Sequence, residues 1–258
     1  MAEAHRSSTA LWASIRHEAE LAVARDPLFG RALSAAVLDH PDLGSAVAHQ
    51  IGARLGGSEA ARARFAAIVL DVYAATPDLV GAASRDLSAI AVHDPATTAL
   101  LPPLLNYKGY IALQAHRVAH WLWSNAQPDL ALLLQADAST ALQVSIHPSV
   151  EIGTSAFLDH ATGIVIGAHS RIGDDVTILQ NVTIGRHDAL PGRGPRIGNG
   201  VLLSSGATLL GDIHVGDFAK VGAGAVVTAD VPAGCTAVGS PARLTNCPER
   251  LRETAAEA

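Results

Sequence analysis

From Val144 onward one aliphatic residue recurs every six positions: Ile146, Ile152, Leu158, Ile166, Ile172, Ile178, Ile184, Ile197, Leu203, Leu209, Val215, Val221 and Val227. Seven of these thirteen are followed directly by glycine (Gly153, Gly167, Gly173, Gly185, Gly198, Gly216, Gly222), which predicts corners taken at positive φ. A period held this long is the mark of a β-solenoid, in which short strands stack and bury a ladder of equivalent aliphatic side chains. Three units close one triangular coil, so about four coils are expected, each ~4.8 Å above the last. Two steps break the register: eight residues from Leu158 to Ile166, and thirteen from Ile184 to Ile197. Surplus residues cannot enter the ladder. They are expected to bulge outward as loops, where binding groups are commonly carried.

Before about residue 140 the pattern is helical. Ala, Leu and Arg fill intervals punctuated by Asp26-Pro27, His40-Pro41-Asp42, Gly56-Gly57-Ser58, Thr76-Pro77-Asp78 and Asp94-Pro95, a polar cap beside a residue suited to a first helical turn. Tyr110, Leu113, Arg117 and Trp121 share a helical spacing, and Pro128 precedes a short apolar helix expected over Leu130 to Ala136. The fold class is therefore α+β, with an all-helical domain over 1–142, a solenoid over 143–242 and a tail over 243–258.

Composition narrows the function without naming it. The 258 residues are 49% hydrophobic and 16% charged, with a formal charge of −6, which leaves no basic field of the kind a phosphate backbone requires. The amino-terminal stretch has no apolar signal core, and no run approaches the roughly 20 apolar residues of a membrane span. A cytoplasmic location follows as an expectation. Cys235 and Cys247 lack CxxC spacing and are expected to be free thiols.

The first bulge begins with Asp159-His160. A neutral imidazole there can serve as a general base near pH 7, although a histidine at a turn can equally be a surface hydrogen-bonding group. The motif "DHATGIVIG" (159–167), preceded by "IHPS" (146–149) and followed by "ILQNVTIG" (178–185), resembles the serine O-acetyltransferases of the hexapeptide-repeat acyltransferases. "HDPA" (93–96), "YKGYIALQAHRVAHWLW" (107–123) and "GSPARL" (239–244) extend the resemblance over residues 10 to 244 or so.

The resemblance implies a left-handed parallel β-helix, a homotrimer with sites between neighbouring helices, often doubled to a hexamer, and acetyl-CoA as cosubstrate with no permanently bound cofactor or metal. It implies that His160 takes the proton from a serine hydroxyl and that the Gly185 N–H holds the oxyanion. Asp94 and Asp159 would bind the amino acid's ammonium group, Arg193 its carboxylate, and Ser205, Lys220 and Ala223 would border the CoA groove. Asp94 followed by Pro95 can also be read as a helix cap.

Two residues depart from the family pattern. Ser145 stands where the family has an aspartate that orients the catalytic imidazole; a hydroxyl can accept the ring proton but cannot stabilise an imidazolium by charge. Gly194 stands where the family has a histidine that meets the substrate carboxylate, so either His187 substitutes or the acceptor differs, homoserine being one alternative. The sequence ends in "RETAAEA" rather than in isoleucine, so a complex with cysteine synthase is not expected. A metal hydrolase using His147, His160, His169, His187 and His214 is a rival, but their spacings are irregular. A noncatalytic scaffold is a second rival, opposed by the presence of Asp94, Asp159, His160 and Arg193 together.

Overall fold

Helix boundaries fall at the predicted punctuation. The computed structural model describes residues 8–185 and 193–248, and contacts divide the chain after Leu142 into a helical and a solenoid unit. The helices are α1 (Ser8–Arg25), α2 (Gly30–Leu33) continued by a π-helical turn (Ser34–Leu38), α3 (Leu43–Leu55), α4 (Glu59–Ala75), α5 (Asp78–His93), α6 (Leu101–Asn106), α7 (Lys108–Ser124) and α8 (Pro128–Leu142). Asp42 caps α3 by accepting the Ser45 N–H at 2.8 Å, and Ser58 caps α4 by accepting that of Ala61 at 3.2 Å. α8 is longer than expected, because Pro128 occupies its first turn and Leu134, Ala138 and Leu142 continue a buried i, i+4 stripe.

A charged network lies inside this unit. Asp86, fully buried on α5, accepts from Arg117 Nε at 2.7 Å and Nη2 at 2.8 Å, and from Gln114 Nε2 at 3.0 Å, both on α7. The fork-to-carboxylate geometry fixes how α5 meets α7. Among the described residues no single helix is long and apolar enough to cross a membrane.

The solenoid follows the six-residue period onto three parallel sheets. Face A stacks β1 (Val144–Ile146), β4 (Ile164–Ile166), β7 (Thr183–Gly185), β10 (Thr208–Leu210) and β13 (Val226–Val227). Face B stacks β2 (Glu151–Ile152), β5 (Arg171–Ile172), β8 (Arg196–Ile197) and β11 (His214–Val215). Face C stacks β3 (Phe157–Leu158), β6 (Thr177–Ile178), β9 (Leu202–Leu203), β12 (Lys220–Val221), β14 (Thr236–Val238) and β15 (Arg243–Thr245). Each predicted aliphatic position pairs with its equivalent one coil away, as in Ile166↔Ile184↔Leu209↔Val227 on face A. Four coils are complete, and a shortened fifth turn runs from Val227 through a bridge at Val231 to Ala237.

The glycines after the ladder positions act differently from the expectation. None of the seven has positive φ; left-handed residues come two positions later, at Ser155, His169, Asp175, Gly200, Phe218 and Gly224, and at the equivalent Asn181 and Gly206 of coils that lack the glycine, with φ from 59° to 70°. Close approach between coils is what demands glycine. A Cβ on Gly153, Gly173 or Gly198 would lie 2.4 to 2.5 Å from an Asp174, Asn199 or Asp217 side-chain oxygen. Those same oxygens accept backbone N–H groups of the coil below: Thr154 onto Asp174 at 2.6 Å, Asp174 onto Asn199 at 2.8 Å, Asn199 onto Asp217 at 2.7 Å. The missing Cβ makes room for a column of side-chain caps.

The cysteines also correct the expectation. Cys235 and Cys247 form a disulfide rather than free thiols. β15 folds back antiparallel on β14, pairing Thr236 with Thr245, and this reversal brings together residues that no local spacing motif connects. The first residues of the expected tail thus cover the edge of face C.

Candidate active site

The two surplus residues of the first bulge are absorbed in left-handed backbone. His160 and Ala161 have φ of 54° and 59°, and Gly163 has 76°. Asp159 still belongs to the ladder, donating its N–H to Ile178 O at 2.8 Å, and regular bonding resumes with Gly163 N–H to Gln143 O at 2.8 Å. Between these anchors the His160 side chain is thrown outward, 75% exposed, with Nε2 3.8 Å from Asp159 Oδ1. Consecutive non-glycine residues at positive φ are uncommon, and such positions concentrate where function fixes a side chain.

Register defines the neighbours of His160. Two residues past the ladder position on the corner from face C to face A stand His160, Gln180, Ser205 and Ala223. Gly206 N–H to Gln180 O and Gly224 N–H to Ser205 O, both 2.9 Å, hold successive coils in step. Ser205 and Ala223 therefore lie along the edge that carries His160, and Lys220 projects, exposed, from the adjoining face C. Ser145 sits half-buried at the centre of β1, the first strand of face A, in register with Val165, two residues after the Gln143 carbonyl that anchors the bulge.

The second insertion leaves the next corner, from face A to face B. Gly185 ends β7 with its carbonyl accepting the Gly211 N–H at 3.1 Å, and a Cβ there would meet nothing within 4 Å. Unlike Gly153, Gly173 and Gly198, this glycine is not required by any close approach among the described residues. His187 lies outside the described residues. Arg193 is exposed and paired with Asp212, Nη1 to Oδ2 at 3.2 Å. A Cβ on Gly194 would come within 3.1 Å of the His169 carbonyl, so the close approach of two chain segments accounts for glycine at this departure from the family pattern. His147 lies nearby with Nδ1 2.9 Å from Ser149 Oγ; burial, and then the neighbouring His169, hold its pKa below the ordinary value.

In the helical unit Asp94 is not the start of a helix. It ends α5, and its carboxylate accepts the Ala96 N–H at 2.8 Å, Thr97 Oγ1 at 2.7 Å and Tyr107 OH at 2.8 Å. Thr97 and Tyr107 were not singled out from the sequence. Tyr107 reads as one more aromatic ahead of a helix, and only the fold reveals that it orients a carboxylate. Asp212, partner of Arg193, carried no sequence signal either.

A parallel solenoid of hexapeptide units, with an exposed histidine at a bulged corner, defines the class: a hexapeptide-repeat acyltransferase. Residues 11–115 match the family model described as serine acetyltransferase, N-terminal, and 194–229 match that of the bacterial transferase hexapeptide, six repeats. The chain is 41% identical over 239 residues to the serine acetyltransferase of Salmonella typhimurium, covering 92% of this chain and 88% of that one. Its fold is similar to soybean serine acetyltransferase complexed with serine (TM-score 0.88, 41% identity, 91% and 97% of the two chains). It is also similar to Brucella abortus serine acetyltransferase in complex with coenzyme A (TM-score 0.89, 39% identity, 92% and 95%). The chain belongs to the serine acetyltransferase family.

Proposed function

We propose that this protein transfers the acetyl group of acetyl-CoA to the hydroxyl of L-serine, giving O-acetyl-L-serine and free CoA, the first step of cysteine biosynthesis. The observation that carries the reading is the outward display of His160 on the edge it shares with Ser205 and Ala223. His160 removes the serine hydroxyl proton as the oxygen attacks the thioester carbonyl. The Gly185 N–H is assigned the developing oxyanion, an interaction commonly worth about 3–4 kcal/mol. When the C–S bond breaks, the imidazolium returns its proton to the thiolate, so that histidine ends as it began. Asp94 and Asp159 are assigned the substrate ammonium and Arg193 its carboxylate, which would displace Asp212 from the guanidinium. Ser145 is assigned the ring orientation, and Lys220 joins Ser205 and Ala223 along the CoA groove.

The same geometry supports an oligomer. His160 and Arg193 stand on different edges of one solenoid, with face A between them, on the order of 15 Å of extended chain. One small amino acid cannot bridge that width, which supports a site shared between copies, the His160 edge of one beside the Arg193 edge of the next. Face A turns outward Ser145, Val165, Thr183, Thr208 and Val226, a row without charge that suits packing against an identical neighbour. We read the assembly as a homotrimer, with pairing to a hexamer as its next level, and the setting as cytoplasmic.

The test is CoA thiol release with acetyl-CoA and a panel of amino acids, with product mass confirmed and the mass of the assembly measured by light scattering. Serine should give the highest kcat/KM and a product heavier by one acetyl group. Preference for homoserine would reassign the acceptor, and no thiol release with any amino acid would end the reading.

A further inference from the structure

Face B carries a second polar feature, away from the His160 edge. A cavity of about 170 Å³ is lined by Ser149, Glu151, His169, Ser170, Arg171 and Arg196, with Gly194 at its rim. Register places Glu151, Arg171, Arg196 and His214 in one row, each directly above the last. Arg171 pairs with Glu151 at 3.4 Å. Arg196 has no charged partner among the described residues. Two arginines directly opposed on adjacent strands, ~4.8 Å apart, are unfavourable unless an anion lies between them.

The rest of the lining points the same way. Ser149 hydrogen-bonds His147, and His169 stands beside it, so the polar side chains at the cavity are two guanidiniums, an imidazole and the Ser149 hydroxyl against the single carboxylate of Glu151. Asp212, the other carboxylate nearby in sequence register, is engaged by Arg193.

We propose that this cavity is a binding site for one small oxyanion, a carboxylate or a phosphate, held between Arg171 and Arg196. Guanidinium forks match the oxygen spacing of both groups. The volume suits a few heavy atoms rather than a nucleotide, since sites for larger ligands run to roughly 300–1,000 Å³. The proposal uses neither His160 nor Arg193 and goes beyond the acetyl-transfer reading.

Calorimetric titration of the full-length protein with inorganic phosphate, and separately with acetate, at constant ionic strength in chloride, tests it. Saturable binding of one anion per chain is expected, the tighter of the two identifying the source. R196Q should weaken binding at least tenfold, H169Q should weaken it severalfold, and E151Q should tighten it severalfold by removing the competing carboxylate. Because H169Q and E151Q alter other strands or turns, they keep the test readable if R196Q folds poorly. Failure of wild type to bind either anion, equal binding by R196Q, or weaker binding by E151Q would overturn the site. Thiol release measured on the same preparations separates this outcome from that of the acetyl-transfer reading.

Discussion

The corner between faces B and C and the corner between faces C and A are built from the same six-residue unit, yet they are used differently. At the first, successive coils repeat one device: Gly153, Gly173 and Gly198 make room for Asp174, Asn199 and Asp217, whose carbonyl and carboxylate oxygens cap the backbone below. These three side chains are engaged in holding the stack. At the second, two extra residues lift His160 out of the ladder, and the ladder resumes without it. The imidazole does little packing at 75% exposure. The fold therefore leaves this position free for chemistry, whereas it fixes the other.

The largest effect that would break this contrast is at His160. His160→Ala should lower kcat/KM for acetyl transfer by about 10²–10⁴-fold, the usual contribution of a general base. The melting temperature should stay within about a degree of wild type, as for surface substitutions that touch no special feature. Thiol release and a thermal melt on one preparation measure both. A variant that keeps its activity would remove the mechanism, and one that unfolds would show the bulge to be structural after all.

Glycine substitutions sharpen the comparison from the other side. Gly198→Ala puts a Cβ 2.5 Å from Asp217 Oδ1 and 2.8 Å from its backbone nitrogen. A loss of about 1–3 kcal/mol in stability is expected from such overpacking. Gly185→Ala meets no atom within 4 Å among the described residues, so its melt should be unchanged while KM for acetyl-CoA rises. Denaturant titration beside steady-state kinetics separates the two. Equal destabilisation by both would mean that these glycines serve a common purpose. Asp217→Ala, which removes the cap from the Asn199 N–H, should cost about 1 kcal/mol by the same measurement.

The six-residue period made the solenoid legible down to individual pairings, because a strand that buries one face has its register set by the buried side chains. The two insertions were legible for the same reason, as interruptions of a count. The purpose of the glycines was not, since Gly153 is explained by Asp174, twenty-one residues away and one coil above. The disulfide stayed hidden because Cys235 and Cys247 meet only through the reversal of β15. In the helical unit the caps were readable locally, but the pairing of Asp86 with Arg117 depends on how two helices cross. Asp94 shows the mixed case. Its carboxylate was a candidate from motif alone, while Thr97 and Tyr107, which orient it, come from residues that a periodicity reading assigns to loop and helix.

The smallest expected change concerns Ser145. It stands half-buried on face A, in register with Val165 and close along the chain to the Gln143 carbonyl that anchors the His160 bulge. A hydroxyl can fix the imidazole tautomer, but only a carboxylate adds charge stabilisation once the ring is protonated. Ser145→Asp should therefore raise kcat about two- to fivefold, the gain of less than about 1 kcal/mol that a partly solvated ion pair supplies. The sign is more informative than the size. An increase that vanishes in the His160→Ala background would tie Ser145 to the imidazole. An unchanged or lower rate would place the orienting group elsewhere and leave the bulge alone responsible for how His160 is held.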